Sequence, residues 1–331
     1  MNRINIASYA TAFLILPLTC IVACTVSSEP TEDSANVSEV ESTHELEECT
    51  DALLGETVFV TDDEAYYTCI RSKWLKMEAN NEPSSSSKEE SSDSKEESSS
   101  SKKQSSDSSD LKVEYGTLKD ARDKRTYKTI TIGTQTWMAE NLDYSDSVAT
   151  PSLKGKSWCY DNDDANCDET GRLYTWAAAI DSVKLANDKK NPQECGYGVN
   201  CELPAKVQGI CPDGWRLPKT EDWKTLIATV NGSGMKSAKL KSTSGWSGDD
   251  NGTNSSGFSI LPAGYRYSDG YFYNANVEAS FWEAEDASSV QDNSEANCMS
   301  FFVQMKDALF SRENKNYGFS VRCIEDSDSE D

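Results

Sequence analysis

The sequence predicts an α+β fold for residues 111–326. Two segments place apolar residues at positions i, i+3, i+4 and i+7, which is the spacing of an amphipathic helix. Several other segments alternate apolar and polar residues between turn-forming residues, as strands of antiparallel hairpins do. Two helices combined with antiparallel strands and long polar loops make an α+β domain.

The overall composition limits the functions that are compatible with the chain. It has 331 residues, a formal charge of −24, one histidine and eleven cysteines. Such negative charge repels nucleic acid and anionic lipid surfaces, which leaves neutral polysaccharides, proteins and divalent ions as partners. His44 precedes the predicted folded regions, so histidine-based catalysis and histidine metal sites are excluded from them.

The N-terminus predicts export. A short basic start leads into a largely apolar stretch over residues 4–22, and residues 21–24 resemble the lipobox of bacterial lipoprotein signal peptides. Residues 1–23 are therefore interpreted as a lipoprotein signal peptide and Cys24 as the lipid-modified residue, with the surface of the outer membrane as the location. An uncleaved membrane anchor and cleavage by ordinary signal peptidase are the alternatives. In each case the remainder is exported to a compartment where disulfides form.

Two short regions follow the signal peptide. Residues 24–48 are acidic and polar, which is the composition of a tether rather than of a core. Residues 49–80 contain two runs of β-branched and aromatic residues around an acidic turn, so a hairpin or a three-stranded meander is predicted. So small a unit needs a covalent staple, which we assign to a disulfide between Cys49 and Cys69. Trp74 is interpreted as the core of this module, with sugar stacking as the alternative.

A linker separates this module from the large domain. Residues 83–110 contain only Pro, Ser, Lys, Glu, Asp and Gln, and a disordered spacer over residues 81–110 is therefore predicted. From residue 111 the composition becomes globular and stays so to residue 326, a span of one-domain size. Residues 327–331 form an acidic tail.

Within the large domain the first helix is predicted over residues 171–181 and the second over residues 221–230. The second has Thr220 as its expected N-cap, acidic residues in its first turn and Asn231 with Gly232 as its stop. Its apolar stripe consists of Trp223, Leu226, Ile227 and Val230. The predicted strands lie within residues 127–132, 135–138, 215–217, 259–267, 271–274, 281–282, 299–304 and 318–323.

Residues 209–223 resemble the Fibrobacter succinogenes major paralogous domain, a family of exported bacterial domains. The resemblance continues through blocks in the order of the family, which makes it specific. These blocks are residues 132–142, 158–160, 171–176, 257–266, 281–282 and 318–323. The family resemblance implies that Cys211 pairs with Cys323.

A shorter similarity concerns the fold alone. Residues 215–218 with the acidic helix, and residues 318–322, are similar to formylglycine-generating enzymes and to the C-type lectin-like fold. This similarity implies a C-type lectin-like head domain, preceded by the small disulfide-stapled β module.

The remaining cysteines are assigned from their spacing. Short separations favour the pairs Cys159 with Cys167 and Cys195 with Cys201, although sequence alone leaves the connectivity open. Cys298 is then left over, either as a free reactive thiol or as a buried and inert cysteine.

An acidic stretch at residues 161–169 suggests a calcium site, because hard cations prefer clustered oxygen ligands. The EF-hand pattern fails, since Ala165 and Asn166 occupy positions where a ligand and a glycine are needed. A looser calcium site remains an alternative to a solvated acidic loop. The sugar-binding triplets of calcium-dependent lectins are absent from the domain.

The long polar loop at residues 243–257 is the predicted binding surface. We expect Trp246 to be exposed there, beside Asp249, Asp250 and Asn251, because an aromatic face next to amide and carboxylate groups suits sugar recognition. An anchoring role for Trp246 is the alternative. A row of tyrosines between residues 265 and 273 is interpreted as cross-strand packing.

These observations favour a non-enzymatic, lipid-anchored protein that displays a binding or adhesion domain. Its expected partners are a polysaccharide, such as one of the plant cell wall, or an envelope or extracellular protein; the membrane is contacted only through the N-terminal lipid. The alternatives are an enzyme on the same fold, either a carboxylate hydrolase or a copper-thiol oxidase, and a structural component of the envelope.

Overall fold

The computed structural model describes residues 38–50, 57–70, 73–76, 113–287 and 293–326. The predicted signal peptide, the lipidation site at Cys24, the serine-rich linker and the acidic tail lie outside the described residues. None of the helices in the described ranges has the length and apolarity needed to cross a membrane.

The small N-terminal module is a four-stranded sheet with the order β1-β2-β3-β4. Its strands are β1 (Ser38–Val40), β2 (Thr57–Val60), β3 (Ala65–Ile70) and β4 (Lys73–Lys76). Strand β1 pairs in parallel with β2, and the other pairs are antiparallel.

Two features of this module bear on the predictions. Cys49 and Cys69 form a disulfide, and both are buried. The predicted meander corresponds to β2, β3 and β4. The additional strand, β1, lies within residues 24–48, for which a tether is predicted. A 3-10 helix at Thr43–Glu45, which contains His44, lies in the same segment. The ordered module therefore begins before Cys49, because residues of β1 find hydrogen-bond partners on β2.

The large domain is built mainly from antiparallel strands, with four helices among the described residues. Its first strands are β5 (Gly116–Lys119), β6 (Thr126–Ile132), β7 (Gln135–Met138), β8 (Ser157–Trp158), β9 (Leu173–Tyr174) and β10 (Trp215–Arg216). The later strands are β11 (Tyr265–Arg266), β12 (Phe272–Tyr273), β13 (Glu278–Asp286), β14 (Glu295–Phe302), β15 (Leu309–Asn314) and β16 (Ile324–Glu325). The helices are α1 (Asp164–Thr170), α2 (Trp176–Ala179), α3 (Ser182–Ala186) and α4 (Thr220–Asn231).

The last strand of the domain closes its main sheet. The order of this sheet is β10-β16-β7-β6-β5, so β16 lies between β7 and β10. Cys323 and Cys211, which precede β16 and β10, form the disulfide that the family resemblance implies. A second sheet has the order β13-β14-β15, and two-stranded pairs join β8 to β9 and β11 to β12.

Helix α4 agrees with its prediction to within one residue at each end, since it also includes Thr220 and Asn231. Trp223, Leu226 and Ile227 are buried, Val230 is partly buried, and Gly232 ends the helix at a φ of 77°. The N-cap is Lys219 rather than Thr220, and the backbone N–H of Lys219 donates to the carboxylate of Asp222 at 2.7 Å. The helix therefore begins with a carboxylate that satisfies a free N–H group.

The helix predicted over residues 171–181 is wrong. Gly171 ends α1 with a φ of 76°, Leu173 and Tyr174 form β9, and helical structure resumes only in the single turn of α2. A Cβ on residue 171 would lie 2.7 Å from the Cβ of Asn141, so the chain approaches its neighbour too closely for any other residue. The apolar residues of this segment are buried because different elements cover them.

Aromatic residues fill the core. Trp223 contacts Trp137, Phe258 and Phe281, with ring centroids 4.9 to 5.7 Å apart. In the neighbouring cluster the rings of Trp282 and Phe319 are 4.5 Å apart. These contacts join residues that are far apart in sequence, so the core assembles only when the whole domain is folded.

A buried arginine links three segments of this core. Arg322 is 1% exposed, and its Nε and Nη2 donate to Oδ1 of Asn141 at 3.0 and 2.6 Å. Its Nη1 donates to the carbonyl of Phe258. Burial lowers the pKa of Arg322 to about 9, and in the described residues its hydrogen-bond partners are amide and carbonyl oxygens.

We expect Asn141→Ala to lower the free energy of unfolding by about 2–4 kcal/mol, because it leaves buried guanidinium donors without an acceptor. Urea denaturation of the oxidised protein measures this loss. Asn187→Ala is the matched control, since Asn187 donates from an exposed position to the carbonyl of Val183. Equal losses in the two variants would contradict the structural role of Asn141.

Candidate functional site

Trp246 is buried, so the prediction that it is exposed for ligand stacking is wrong. Its side chain is 4% exposed, and its indole Nε1 donates to the carbonyl of Ile260 at 3.1 Å. The ammonium group of Lys241 lies 4.3 Å from the centre of its ring. Trp246 therefore anchors the polar loop to the core, which was the alternative interpretation.

The other predicted residues of this loop differ in their surroundings. Asp250 forms an ion pair with the buried Lys241 at 2.7 Å and accepts from the backbone N–H of Gln304. Asn251 accepts from the backbone N–H of Trp246, and Asp249 is exposed. Two of the three polar residues are thus engaged in holding the loop in shape. Burial lowers the pKa of Lys241, and Asp250 opposes this shift.

The acidic stretch at residues 161–169 forms most of helix α1 instead of an open loop. Asp163 caps the helix by accepting from the backbone N–H of Ala165, and Asp168 lies 3.7 Å from Arg125. No group of three His, Cys, Asp or Glu side chains that could hold a metal ion occurs in the described part of the chain. The structure therefore adds no support for a calcium site.

A tyrosine-rich hairpin forms an exposed surface that the sequence interpretation did not favour. Tyr265 and Tyr273 lie opposite each other in β11 and β12, and the backbone N–H of Tyr267 donates to the carbonyl of Tyr271. Because side chains alternate along strands, the four tyrosines belong to one face of the hairpin. Tyr265 is buried, whereas Tyr267, Tyr271 and Tyr273 are 37%, 70% and 41% exposed. These three residues are called the tyrosine face below.

Buried aromatic residues support the tyrosine face from inside the domain. The ring of Tyr317 is 7% exposed, and its centre lies 4.7 Å from the centre of the Tyr267 ring. The rings of Tyr267 and Tyr273 are 6.1 Å apart. Burial raises the pKa of Tyr317, which keeps its hydroxyl neutral. The rings of Tyr267 and Tyr273 thus stand on a packed aromatic layer and lose little freedom when a ligand binds, whereas the Tyr271 ring projects into solvent.

The opposite face of the hairpin is fixed to the domain. The guanidinium group of Arg266 lies 3.9 Å from the centre of the Trp158 ring, and Phe272 contacts Tyr160. Arg266 and Gly318 also exchange backbone hydrogen bonds of 3.0 and 2.7 Å. A Cβ on residue 318 would lie 3.0 Å from the Cβ of Arg266, so the two chain segments approach each other closely there.

Two polar cavities, of about 380 and 280 Å³, lie between α1, the polar loops and the start of the domain. They share Glu169, Thr170 and Leu261 as lining residues. The smaller one has Tyr160 as its aromatic wall and lies next to the tyrosine hairpin through Asn276. The polar cavities and the tyrosine face are therefore two separate candidates for ligand contact.

Glu283 and Glu285 form a pair of neighbouring carboxyl groups, the arrangement that a hydrolytic site would need. Residues 283–285 bulge out of β13 opposite Asn297 and direct Glu283 and Glu285 towards the first turn of α4. The hydroxyl of Thr220 contacts both carboxyl groups, so two acidic side chains lie close together at this buried position. Burial, together with the charge of Glu285, raises the pKa of Glu283 to about 8. Glu283 is 0% exposed, so it is a structural acid rather than one that meets a substrate.

A copper-thiol site would need two reduced cysteines side by side. The pairs Cys159 with Cys167 and Cys195 with Cys201 form disulfides, as their spacing suggested. Cys298 is the cysteine outside a disulfide among the described residues; it is 0% exposed in β14, with its Sγ 3.1 Å from the hydroxyl of Ser311. A site of two reduced cysteines is therefore not formed within the described ranges, and Cys298 matches the buried alternative.

Comparison with known proteins gives one family. The model of the family described as the Fibrobacter succinogenes major domain matches residues 130–325, which is more than half of the chain. No curated protein and no solved structure matches the chain.

We expect Glu283 to make the protein less stable as the pH rises. Its folded-state pKa of about 8 exceeds the ordinary 4.5, so its stabilisation is complete below pH 4.5 and is lost as the pH rises towards 8. The loss amounts to at most about 5 kcal/mol, and Glu283→Gln should remove it and flatten the pH profile of the unfolding free energy.

Denaturant unfolding between pH 5 and pH 9 measures this effect. Glu221→Gln serves as the control, because the Glu221 side chain is 79% exposed. If Glu283→Gln and the wild type lose stability in parallel over this range, the assignment of the proton to Glu283 is wrong.

Proposed function

The chain belongs to the Fibrobacter succinogenes major domain family, and on that premise we propose that its large domain is a non-enzymatic module that binds neutral polysaccharide through the tyrosine face. The observation that carries the proposal is the exposure of Tyr267, Tyr271 and Tyr273 on one side of a rigid hairpin.

Exposed tyrosines combine the two interactions that sugar rings require. Their faces stack against the C–H faces of a sugar, and their hydroxyl groups exchange hydrogen bonds with sugar hydroxyls. A tyrosine is also rigid, with two rotatable side-chain bonds, so fixing it on a ligand costs little conformational entropy. A clustered aromatic surface of this kind on a folded domain indicates an interaction site.

The arrangement of the rings favours a polymer over a small molecule. The three rings of the tyrosine face lie on the open surface of the hairpin and line none of the described cavities. A polysaccharide chain can contact successive rings on such an open surface. The carboxylate of Asp269, which accepts from the hydroxyl of Tyr273, suits an uncharged ligand because it repels anionic ones.

The second part of the proposal concerns how the large domain is held outside the cell. We infer that Cys24 carries a lipid that anchors the protein in the cell envelope, and that the serine-rich linker holds the large domain away from the membrane. Adhesion to a polysaccharide outside the cell requires this order of parts. A purely structural role, in which the tyrosine face binds another copy of the chain, is the second candidate, and the same exposed rings favour it.

Replacement of the exposed rings should weaken retention on insoluble neutral polysaccharides such as cellulose and xylan. We expect Tyr271→Ala and Tyr273→Ala each to weaken binding about 3- to 10-fold, because each loses one stacking contact. Tyr271→Phe should retain most of the affinity, since it keeps the ring. Depletion of the protein from solution by increasing amounts of polysaccharide measures these effects.

Tyr197→Ala is the matched control, because Tyr197 is 54% exposed but lies outside the tyrosine hairpin. The proposal fails if the wild type is retained on no neutral polysaccharide, or if Tyr197→Ala weakens retention as much as Tyr271→Ala. Sedimentation of the wild type and of Tyr271→Ala distinguishes the structural role, which requires self-association that the variant loses.

A further inference from the structure

A cavity of about 430 Å³ lies beside the C-terminal end of α4, apart from the tyrosine hairpin. Four lysines line it, together with a single carboxylate, that of Asp250. These lysines are Lys236, Lys239, Lys241 and Lys306. The cavity is called the lysine cavity below.

Backbone pairing between two distant segments brings the lysines together. The N–H of Ser237 donates to the carbonyl of Lys306 at 2.8 Å, and the N–H of Ala308 donates to the carbonyl of Met235 at 2.7 Å. Lys236 and Asp307 form an isolated antiparallel bridge between the same segments. Lys236, Lys239 and Lys306 are exposed, so their positive charges face solvent at the cavity.

The charges of the four lysines are neutralised by neighbouring groups to different extents. Lys241 is buried and pairs with Asp250 at 2.7 Å, which cancels the one carboxylate of the lining. Lys239 donates to the carbonyl of Val230 in the last turn of α4. Lys236 pairs with Asp307 on the surface, where an ion pair is weak. The ammonium group of Lys306, unlike its backbone carbonyl, has no hydrogen bond or ion pair with any described residue. The lining therefore keeps a net positive charge.

This local charge contrasts with the charge of the chain. Residues 113–326 contain 23 Lys and Arg against 31 Asp and Glu, a formal charge of −8, whereas the whole chain has −24. Most of the negative charge thus lies outside the large domain. Because charges separated by more than about 8 Å are largely screened at physiological salt, a cluster of lysines can attract an anion despite the net charge.

We propose that the lysine cavity binds the carboxylate-bearing sugars of an acidic polysaccharide, that is, a polyuronate. The lysine ammonium groups match carboxylates, and Asn231, Ser233 and Asn251 offer amide and hydroxyl groups for sugar hydroxyls. Met305 and Ala238 supply apolar surface for the C–H face of a ring. No aromatic residue occurs among the described residues that line the cavity, which disfavours a nucleic acid, whose bases need stacking surfaces.

The test compares polygalacturonate with the same polymer in its fully methyl-esterified form, which keeps the ring and removes the charge. We expect the wild-type protein to bind polygalacturonate at least about tenfold more tightly than the ester, and to lose this preference as the salt concentration is raised. Lys306→Ala combined with Lys236→Ala should weaken polygalacturonate binding about tenfold or more. Both residues are exposed, so the variant should keep the wild-type melting temperature.

Two control variants make the test specific. Lys224→Ala also removes an exposed lysine, but from a part of α4 outside the cavity, and should leave polygalacturonate binding unchanged. Tyr271→Ala should likewise leave it unchanged while weakening retention on neutral polysaccharide, so the two sites can fail separately. Equal binding of polymer and ester by the wild type would overturn the inference, as would an equal effect of Lys224→Ala or a loss of polygalacturonate binding in Tyr271→Ala.

Discussion

The large domain depends on one constraint, the pairing of its last strand, β16, with β7 and β10. Strand β16 pairs with β7 at Ile324 and Trp137 and with β10 at Ile324 and Arg216. The disulfide between Cys211 and Cys323, 112 residues apart, secures the same junction. In the chain-entropy model a loop of this length stabilises the fold by about 5 kcal/mol. Everything between β7 and β16 is thereby enclosed, including both aromatic clusters and the loops that they support.

Buried basic side chains then hold those loops against the enclosed core. Lys241 fixes the loop of Trp246 through Asp250, and Arg322 joins Asn141 to the segment of Phe258. Lys315 is 0% exposed on its side chain, pairs with Asp286 at 2.9 Å and donates to the carbonyl of Val199. Each such side chain satisfies oxygen atoms of a long polar segment that has little regular structure of its own. The loops and hairpins on the surface are consequently ordered platforms, and binding to them needs little rearrangement.

The two proposed contact surfaces follow from this architecture. The tyrosine face needs Tyr317 and Arg266 behind the hairpin, and the lysine cavity needs the backbone pairing of residues 235–237 with residues 306–308. In both cases the residues of the surface and the residues that support it come from separate parts of the sequence. If both proposals hold, a neutral polymer on the tyrosines and an acidic polymer on the lysines would together let one domain contact a mixed polysaccharide matrix.

The sequence by itself determined the features that depend on local spacing and chemistry. These are helix α4, which an apolar stripe between an acidic first turn and a glycine specifies, the hairpins around turn residues, and the family. The spacing also favoured the two short-range disulfides, because cysteines 6 or 8 residues apart lie within easy reach of each other, but their connectivity was decided by the structure. The stripe at residues 171–181 failed because its apolar residues are covered from several directions, so their periodicity reflects burial and not one helix face.

Only the tertiary structure decided which aromatic residues are exposed. Trp246 lies in a run of glycine, serine and aspartate that is typical of an exposed loop, yet Lys241 and the carbonyl of Ile260 bury it. The tyrosines alternate as packed cross-strand residues do, and only Tyr265 is buried among them. Exposure depends on which distant segment covers a side chain. The local spacing of residues does not indicate which segment that is. The pairing of β16, which closes the domain, decides it.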